Sequence, residues 1–350
     1  MRNILLVACA LSLAVTGLLS ASAQSYAIGA DVSFLGKCAQ DGVVFKEGGQ
    51  PKDVLAILHE HHYNWVRLRI FHDPSVGEGH LPNDLAYTLR LAKRARSMEF
   101  HVLLHLHYSD TWADPGKQFT PAAWSSLDHK QLVDHVFLYT RTVIAAFASK
   151  GLMPDMVQVG NEITNGMLWP DGKFPGNWDN FADLVQAGIR GVESGRGSAP
   201  RPRIMIHIDR SGDMDAAVQF FDNLIARHVS FDVMGLSYYP RWHGDIATMR
   251  GNLRSLALRY RLPIIVVEAA FNWKPVDFVG KKSDFPESPE GQQAFLRAVD
   301  AAVRSIPNGL GQGVFWWEPA AEGGLRSRSF FDEEGNVLPV ISAFDTPSSA

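Results

Sequence analysis

The chain has 350 residues, 46% of them hydrophobic, and a formal net charge of −4. That length supports a large buried core, and a (β/α)8 barrel of about 250 residues with extended loops fits inside it. The mild, dispersed acidity excludes a nucleic-acid surface, and no basic amphipathic stretch marks the chain for a membrane surface, so a neutral partner is expected.

The amino terminus stands apart in composition. Arg2 precedes an apolar run over 4–19, and Ala21-Ser22-Ala23 places small residues before Gln24, the pattern of a cleaved export signal over 1–23. A membrane anchor needs about 20 apolar residues with different flanks. The mature chain, 24–350, is expected in the periplasm or the medium, and as a monomer. Cleavage removes Cys9 and leaves Cys38 as the single thiol, so no intrachain disulfide forms.

From residue 25 onward, short apolar runs alternate with helical patterns, which predicts βα units around a parallel sheet. Strands are expected over 26–32, 64–70, 101–106, 155–160, 203–207, 231–237, 263–267 and 313–316. Helices are expected over 85–97, 132–150, 181–194, 216–227, 247–260 and 289–305. Eight strands without a glycine-rich phosphate turn predict a single-domain α/β protein, a closed (β/α)8 TIM barrel, rather than a doubly wound sheet.

Barrels of this kind carry their sites at the carboxyl ends of the strands. Asp31 follows the first strand; Arg67 and Arg69 lie on the second. The third delivers His105 and His107, then Asp110, Trp112 and Asp114. The fourth ends in Asn161-Glu162, and the fifth in His207 and Asp209. The sixth ends in Tyr238 and Tyr239, followed by Trp242 and His243. The seventh ends in Glu268, and the eighth in Trp317 and Glu318. Of nine tryptophans only Trp65 lies near a strand's start, and the other eight fall at or beyond carboxyl ends. Aromatic rings beside polar groups suit sugars, whose C–H faces pack on rings while their hydroxyls need hydrogen bonds.

Hydrolysis of a glycosidic bond takes two carboxyl groups, one protonated and one ionised. Glu162, after a Gly-Asn step, is placed for partial desolvation and suits the acid; Glu268 ends a fully apolar strand, within reach of Arg67 or Arg69, and suits the nucleophile. Glu318 is the competing carboxyl, but Pro319 beside it indicates a loop role. His59-Glu60-His61-His62 lacks the spacing of a helical zinc motif. His105 and His107 share a strand face, and hydrogen bonding to sugar or carboxylate is expected of them before zinc.

These residues resemble glycoside hydrolase family 53, the arabinogalactan endo-β-1,4-galactanases. The resemblance spans about 28–344. It rests on Gly29-Ala30-Asp31-Val32-Ser33, Val66-Arg67-Leu68-Arg69, the run from His107-Tyr108-Ser109-Asp110 through Trp112-Ala113-Asp114-Pro115-Gly116-Lys117-Gln118, Gly160-Asn161-Glu162, Leu168-Trp169-Pro170, Ser237-Tyr238-Tyr239-Pro240, Trp242-His243-Gly244 and Trp317-Glu318-Pro319. The resemblance implies internal cleavage of β-1,4-galactan, the side chain of pectin, with retention; some bacterial members have a calcium-binding loop late in the chain, but no acidic cluster for it stands in this sequence, so no metal and no cofactor is expected. It gives Glu162 the acid/base role, Glu268 the nucleophile role and Asn161 the 2-hydroxyl of the reacting sugar. Arg67 or Arg69 and Tyr238 would contact the nucleophile, and Trp317 would floor the reacting sugar. Asp31, His107, Asp110, Trp112, Asp114, Trp169, His207, Asp209, Trp242 and His243 would line the substrate site. Phe34 stands where the family often has Trp, His105 where it often has Asp, and Ala269-Ala270-Phe271 follows the second glutamate, changes that bear on sugar preference. A relative acting on mannan or xylan, or a catalytically silent carbohydrate-binding barrel, are the alternatives.

Overall fold

The computed structural model describes residues 26–77, 81–277, 280–321 and 323–345, so the export signal expected over 1–23 lies outside the described residues. Eight parallel strands close on themselves: β1 (Ala27–Asp31), β2 (Trp65–Ile70), β3 (His101–Leu106), β4 (Met156–Val159), β5 (Arg203–Ile208), β6 (Val233–Tyr238), β7 (Ile264–Ala269) and β8 (Gly311–Trp317). Each pairs with its sequence neighbours, and β1 pairs with both β2 and β8, which completes the barrel. Every predicted strand is present, with ends within two residues of those read from the apolar runs.

Around the barrel run α1 (Leu35–Gln40), α2 (Val54–Glu60), α3 (Leu85–Arg96), α4 (His129–Ser149), α5 (Trp178–Gly195), α6 (Met214–Ala226), the single turn α7 (Pro240–His243), α8 (Ile246–Tyr260) and α9 (Pro289–Arg304). Short side chains punctuate the strand-to-helix turns. Asp84, Asp213, Asp245 and Ser288 each accept a first-turn amide, and Asp128 with Gln131 forms a reciprocal capping box. Among the described residues no helix is long and apolar enough to cross a membrane.

Strand alternation sorts the side chains into two cores. Outward positions such as Val66, Leu68 and Ile70 meet the helices. Inward positions near the strand starts, among them Trp65, Leu103, Met156, Met205, Val233, Ile265 and Phe315, fill the barrel's lower half. Large rings fit there because β1 contributes no side chain at Gly29: a Cβ would lie 2.1 Å from Phe315 Cδ1. The same alternation, continued upward, brings Arg67, Arg69, His105, Gln158, His207 and Ser237 inward as a buried polar layer. That layer is the floor of the site.

Candidate active site

Arg67 organises the centre. Its Nη1 donates to Glu268 Oε1 at 2.6 Å and to Asp31 Oδ2 at 3.2 Å, while Nη2 reaches Asn161 Oδ1 at 2.9 Å and Gln158 Oε1 at 2.9 Å. All these groups are buried, so a planar fork with fixed donors sets the relative orientation of a carboxylate and an amide. The second oxygen of Glu268 accepts from the Tyr239 hydroxyl at 2.8 Å. Burial, and then the charge of Glu268, push the Tyr239 phenol well above its ordinary value, so it stays a donor. Glu268 enters the cleft at a register shift: Leu236 pairs with Val266 but Ser237 pairs with Glu268, leaving Val267 as the bulged residue.

Glu162 sits just past β4 in a left-handed conformation, φ 45° and ψ 47°, unusual for a residue with a side chain. Gly160, at φ 81°, turns the chain just before it. The Ser237 hydroxyl donates to Glu162 Oε1 at 2.6 Å, and His207 Nε2 lies 2.8 Å from that hydroxyl. Gln158 Nε2 (3.1 Å), Asn161 Oδ1 (3.2 Å) and the Glu162 amide (3.4 Å) all approach His207 Nδ1, which fixes the ring with Nε2 facing Ser237. Burial holds His207 neutral, far below the usual imidazole value. Burial, and then the charges of Glu268 and Asp209, hold the Glu162 carboxyl well above the ordinary glutamate value, against the opposing pull of Ser237. Two carboxyl groups facing one cleft thus occupy opposite settings. Glu162 is held towards its protonated form; Glu268 is held by a guanidinium and a phenol.

The cleft, about 240 Å³, is floored by His105, His107 and Asn161 and walled by Trp112, Trp242 and Trp317. The amide of Ala113 donates to His107 Nδ1 at 3.2 Å, which puts the ring's proton on Nε2. That buried atom has no partner among the described residues and is available to a ligand oxygen. His105 Nε2 lies 3.1 Å from Asp31 Oδ2, and burial together with the Arg67 charge lowers its pKa to about 3. A second hollow of about 650 Å³ shares Asp114, Glu162, Tyr239 and Trp242 with the first and continues past Asp209, Arg210 and His243. The two form one groove, with Glu162 at the junction.

The structure separates residues that the sequence left together. Arg67, not Arg69, contacts Glu268. Arg69 lies one layer higher, between the rings of Phe34 (4.7 Å) and Trp112 (4.2 Å), and pairs with Glu318 Oε1 at 3.0 Å. Glu318 is therefore a buried support for the Trp112 wall; burial, then the charge of Asp31, raise it to about 8. Tyr238 does not contact Glu268. It points outward against Phe295, its hydroxyl donating to Gly244 O at 3.0 Å, and Tyr239 takes the role instead. Inward Gly235 and Ser237 made that parity readable. Asp110 is bound inside its own loop by His72, the Asp73 amide and the Ala122 amide, so it braces the site without facing it. Trp169 lines a separate depression beside Phe119, one face of its ring covered by Lys173 at 4.1 Å. His207 lies beneath Glu162. Asp209, held by Thr164 and Arg210, lines the second hollow, as does His243, whose Nδ1 accepts the Tyr239 amide at 2.9 Å. Of eight tryptophans expected near the cleft, Trp112, Trp242 and Trp317 line it. Trp178 stacks on Phe174 at 3.7 Å, while Trp124 and Trp316 are buried in packing. Ser237, Gln158 and Arg328 were missed. The first two follow from strand alternation; Arg328 sits in a loop where no periodicity applies.

A closed (β/α)8 barrel with glutamates at the ends of β4 and β7, set in a groove walled by tryptophans, defines a barrel glycoside hydrolase. The model of glycosyl hydrolase family 53 matches residues 27–344, and the chain belongs to that family. It is 41% identical over 315 residues to an uncharacterized protein in the bgaB 5′ region of Niallia circulans, covering 85% of this chain and 84% of that one. Against arabinogalactan endo-β-1,4-galactanase A of Aspergillus niger it is 36% identical over 317 residues, 87% of each chain. A solved fungal β-1,4-galactanase superposes with a TM-score of 0.84 at 32% identity, covering 91% of this chain and 98% of the other.

Proposed function

We propose that the chain is a retaining endo-β-1,4-galactanase, acting on internal bonds of galactan with Glu162 as acid/base and Glu268 as nucleophile. The observation that carries this reading is the contrast between the two carboxyls across one groove. In the first step Glu268 attacks the anomeric carbon while Glu162 gives its proton to the departing glycosidic oxygen, breaking the bond and forming a galactosyl ester. In the second step Glu162 takes a proton from water, the water oxygen attacks the same carbon, and Glu268 leaves as carboxylate.

Arg67 and Tyr239 keep Glu268 aimed between the steps. Loss of charge at Glu268 on ester formation removes one of the influences that hold the Glu162 proton, which helps Glu162 change from acid to base. Asn161, held by Arg67 and by its own donation to Ala113 O at 3.0 Å, presents its amide beside the reacting sugar. A groove continuing on both sides of Glu162 suits a polymer cut internally. The galactan preference draws on the galactanase relatives, and export on the apolar leader over 1–23. The test is product analysis on debranched galactan, mannan and xylan. Short galacto-oligosaccharides from galactan alone are expected; cleavage confined to mannan or xylan would refute the substrate assignment.

A further inference from the structure

Arg328 follows β8 in a short helical turn (Gly323–Arg328), and its side chain lines the cleft together with Glu268, Tyr239 and Trp317. Its guanidinium lies 5.3 Å from the centre of the Trp317 ring, within the range of a cation–π contact. The backbone on either side is pinned: the Arg328 carbonyl accepts from Trp316 Nε1 at 2.9 Å, Ser327 Oγ donates to Asn272 Oδ1 at 3.0 Å, and Ser329 Oγ donates to Pro319 O at 2.7 Å.

What sets Arg328 apart is what it lacks. Its guanidinium makes no hydrogen bond to any described residue, whereas the other arginines of this region are engaged. Arg67 holds Glu268, Arg69 holds Glu318, Arg241 pairs with Glu287, and Arg326 donates to the carbonyls of Asp332 and Glu333. Both oxygens of Glu268 already accept bonds from Arg67 and Tyr239. Burial lowers the pKa of Arg328, with Tyr239 and Glu268 opposing, so the group is partly stripped of water before any ligand arrives. A guanidinium has five donors and no acceptor, and its complement is a pair of oxygens set side by side.

The side of the groove follows from the chemistry. The leaving sugar departs past Glu162 through the hollow of Asp209, Arg210 and His243, and Arg328 is not part of that hollow. It belongs to the end walled by Trp112 and Trp317, where the sugar that becomes bonded to Glu268 and the units attached to it lie.

We propose that Arg328 is a specificity-determining residue whose guanidinium clasps two neighbouring hydroxyls of the glycone chain against the Trp317 wall. The proposal rests on the glycosidase reading of the groove. The test compares wild type, Arg328→Ala and Arg328→Lys on debranched galactan, with thermal unfolding and full pH profiles for each. Arg328→Ala is expected to unfold with wild type and to lose about 10–100-fold in kcat/KM, the size of one or two hydrogen bonds to a charged donor. Arg328→Lys, a point donor that cannot bridge two oxygens, should recover only part of that loss, with both limbs of the profile unmoved. Kinetics within twofold of wild type for Arg328→Ala would overturn the proposal. So would a loss that disappears when each variant is compared at the plateau of its own pH profile, because Arg328 would then act only through its charge on Glu268 and not by holding hydroxyls. If Arg328→Ala does not fold, the lysine variant decides by the same criteria. Wild type that ignores galactan but cuts another β-glycan would defeat the galactanase reading alone, and the Arg328 comparison is then made on that glycan.

Discussion

Ser237→Ala removes one hydroxyl from the acid/base machinery and should move the pH profile in a defined direction. The hydroxyl donates to Glu162 Oε1 at 2.6 Å and stabilises the ionised form, so it opposes burial and the charges of Glu268, Asp209 and Asp114, which favour the protonated form. Tyr239 also faces this pair but remains a neutral phenol. Removing the donor therefore raises the Glu162 pKa further. A hydrogen bond to a charged group contributes about 1.5–3 kcal/mol. One pH unit corresponds to about 1.4 kcal/mol, so full loss amounts to roughly 1–2 units. Ser237 is fully buried, so water restores little of the interaction and the expected shift is about 1–2 units. Glu162 must be protonated for the first step, so the basic limb of kcat/KM should move upward by that amount. Ser237→Thr, which keeps a hydroxyl, should leave the limb near its wild-type position. A basic limb that stays in place or moves downward in Ser237→Ala would refute the assignment of Ser237 as the donor that tunes Glu162.

Other expectations are equally direct. Tyr239→Phe deletes the donor to Glu268 Oε2 and should reduce kcat roughly tenfold, about 1.4 kcal/mol, whereas Tyr238→Phe should leave kcat within twofold. Steady-state kinetics on galactan distinguishes the two tyrosines, and equal losses would mean that the β6 parity is misread. Glu318→Ala leaves Arg69 unpaired in the interior and should cost about 3–5 kcal/mol in chemical denaturation. Glu318→Gln keeps an acceptor for Arg69 Nη1 and the shape of the side chain, so this variant should cost less than Glu318→Ala. Matching losses for the two would show that neither the acceptor nor the shape matters there.

The parts legible in the sequence are those governed by periodicity and strand polarity. The barrel strands showed as short apolar runs because both faces of each are covered, one by helices and one by the barrel interior. Glu162 and Glu268 were readable because each ends such a run. Where alternation was not followed through, the reading failed: Tyr238 was preferred to Tyr239 although Gly235 and Ser237 already marked the inward face. Arg67 and Arg69 share parity, and only height along the strand separates a residue that meets Glu268 from one against Trp112. Tryptophan position along the chain overstated the cleft, because loops at the carboxyl ends also need rings to pack on one another, as Trp178 does on Phe174. Arg328 left no sequence signal, since its role depends on a loop folding back over Trp317.

The central claim is double displacement by Glu268 with Glu162 as acid and base, and the anomeric configuration of the first product reports on it most directly. Proton NMR spectra collected in the first minutes of galactan cleavage should show new reducing ends appearing in the β form and only later equilibrating with α. Initial appearance of the α form would mean a single displacement by water, and would contradict the nucleophile role of Glu268.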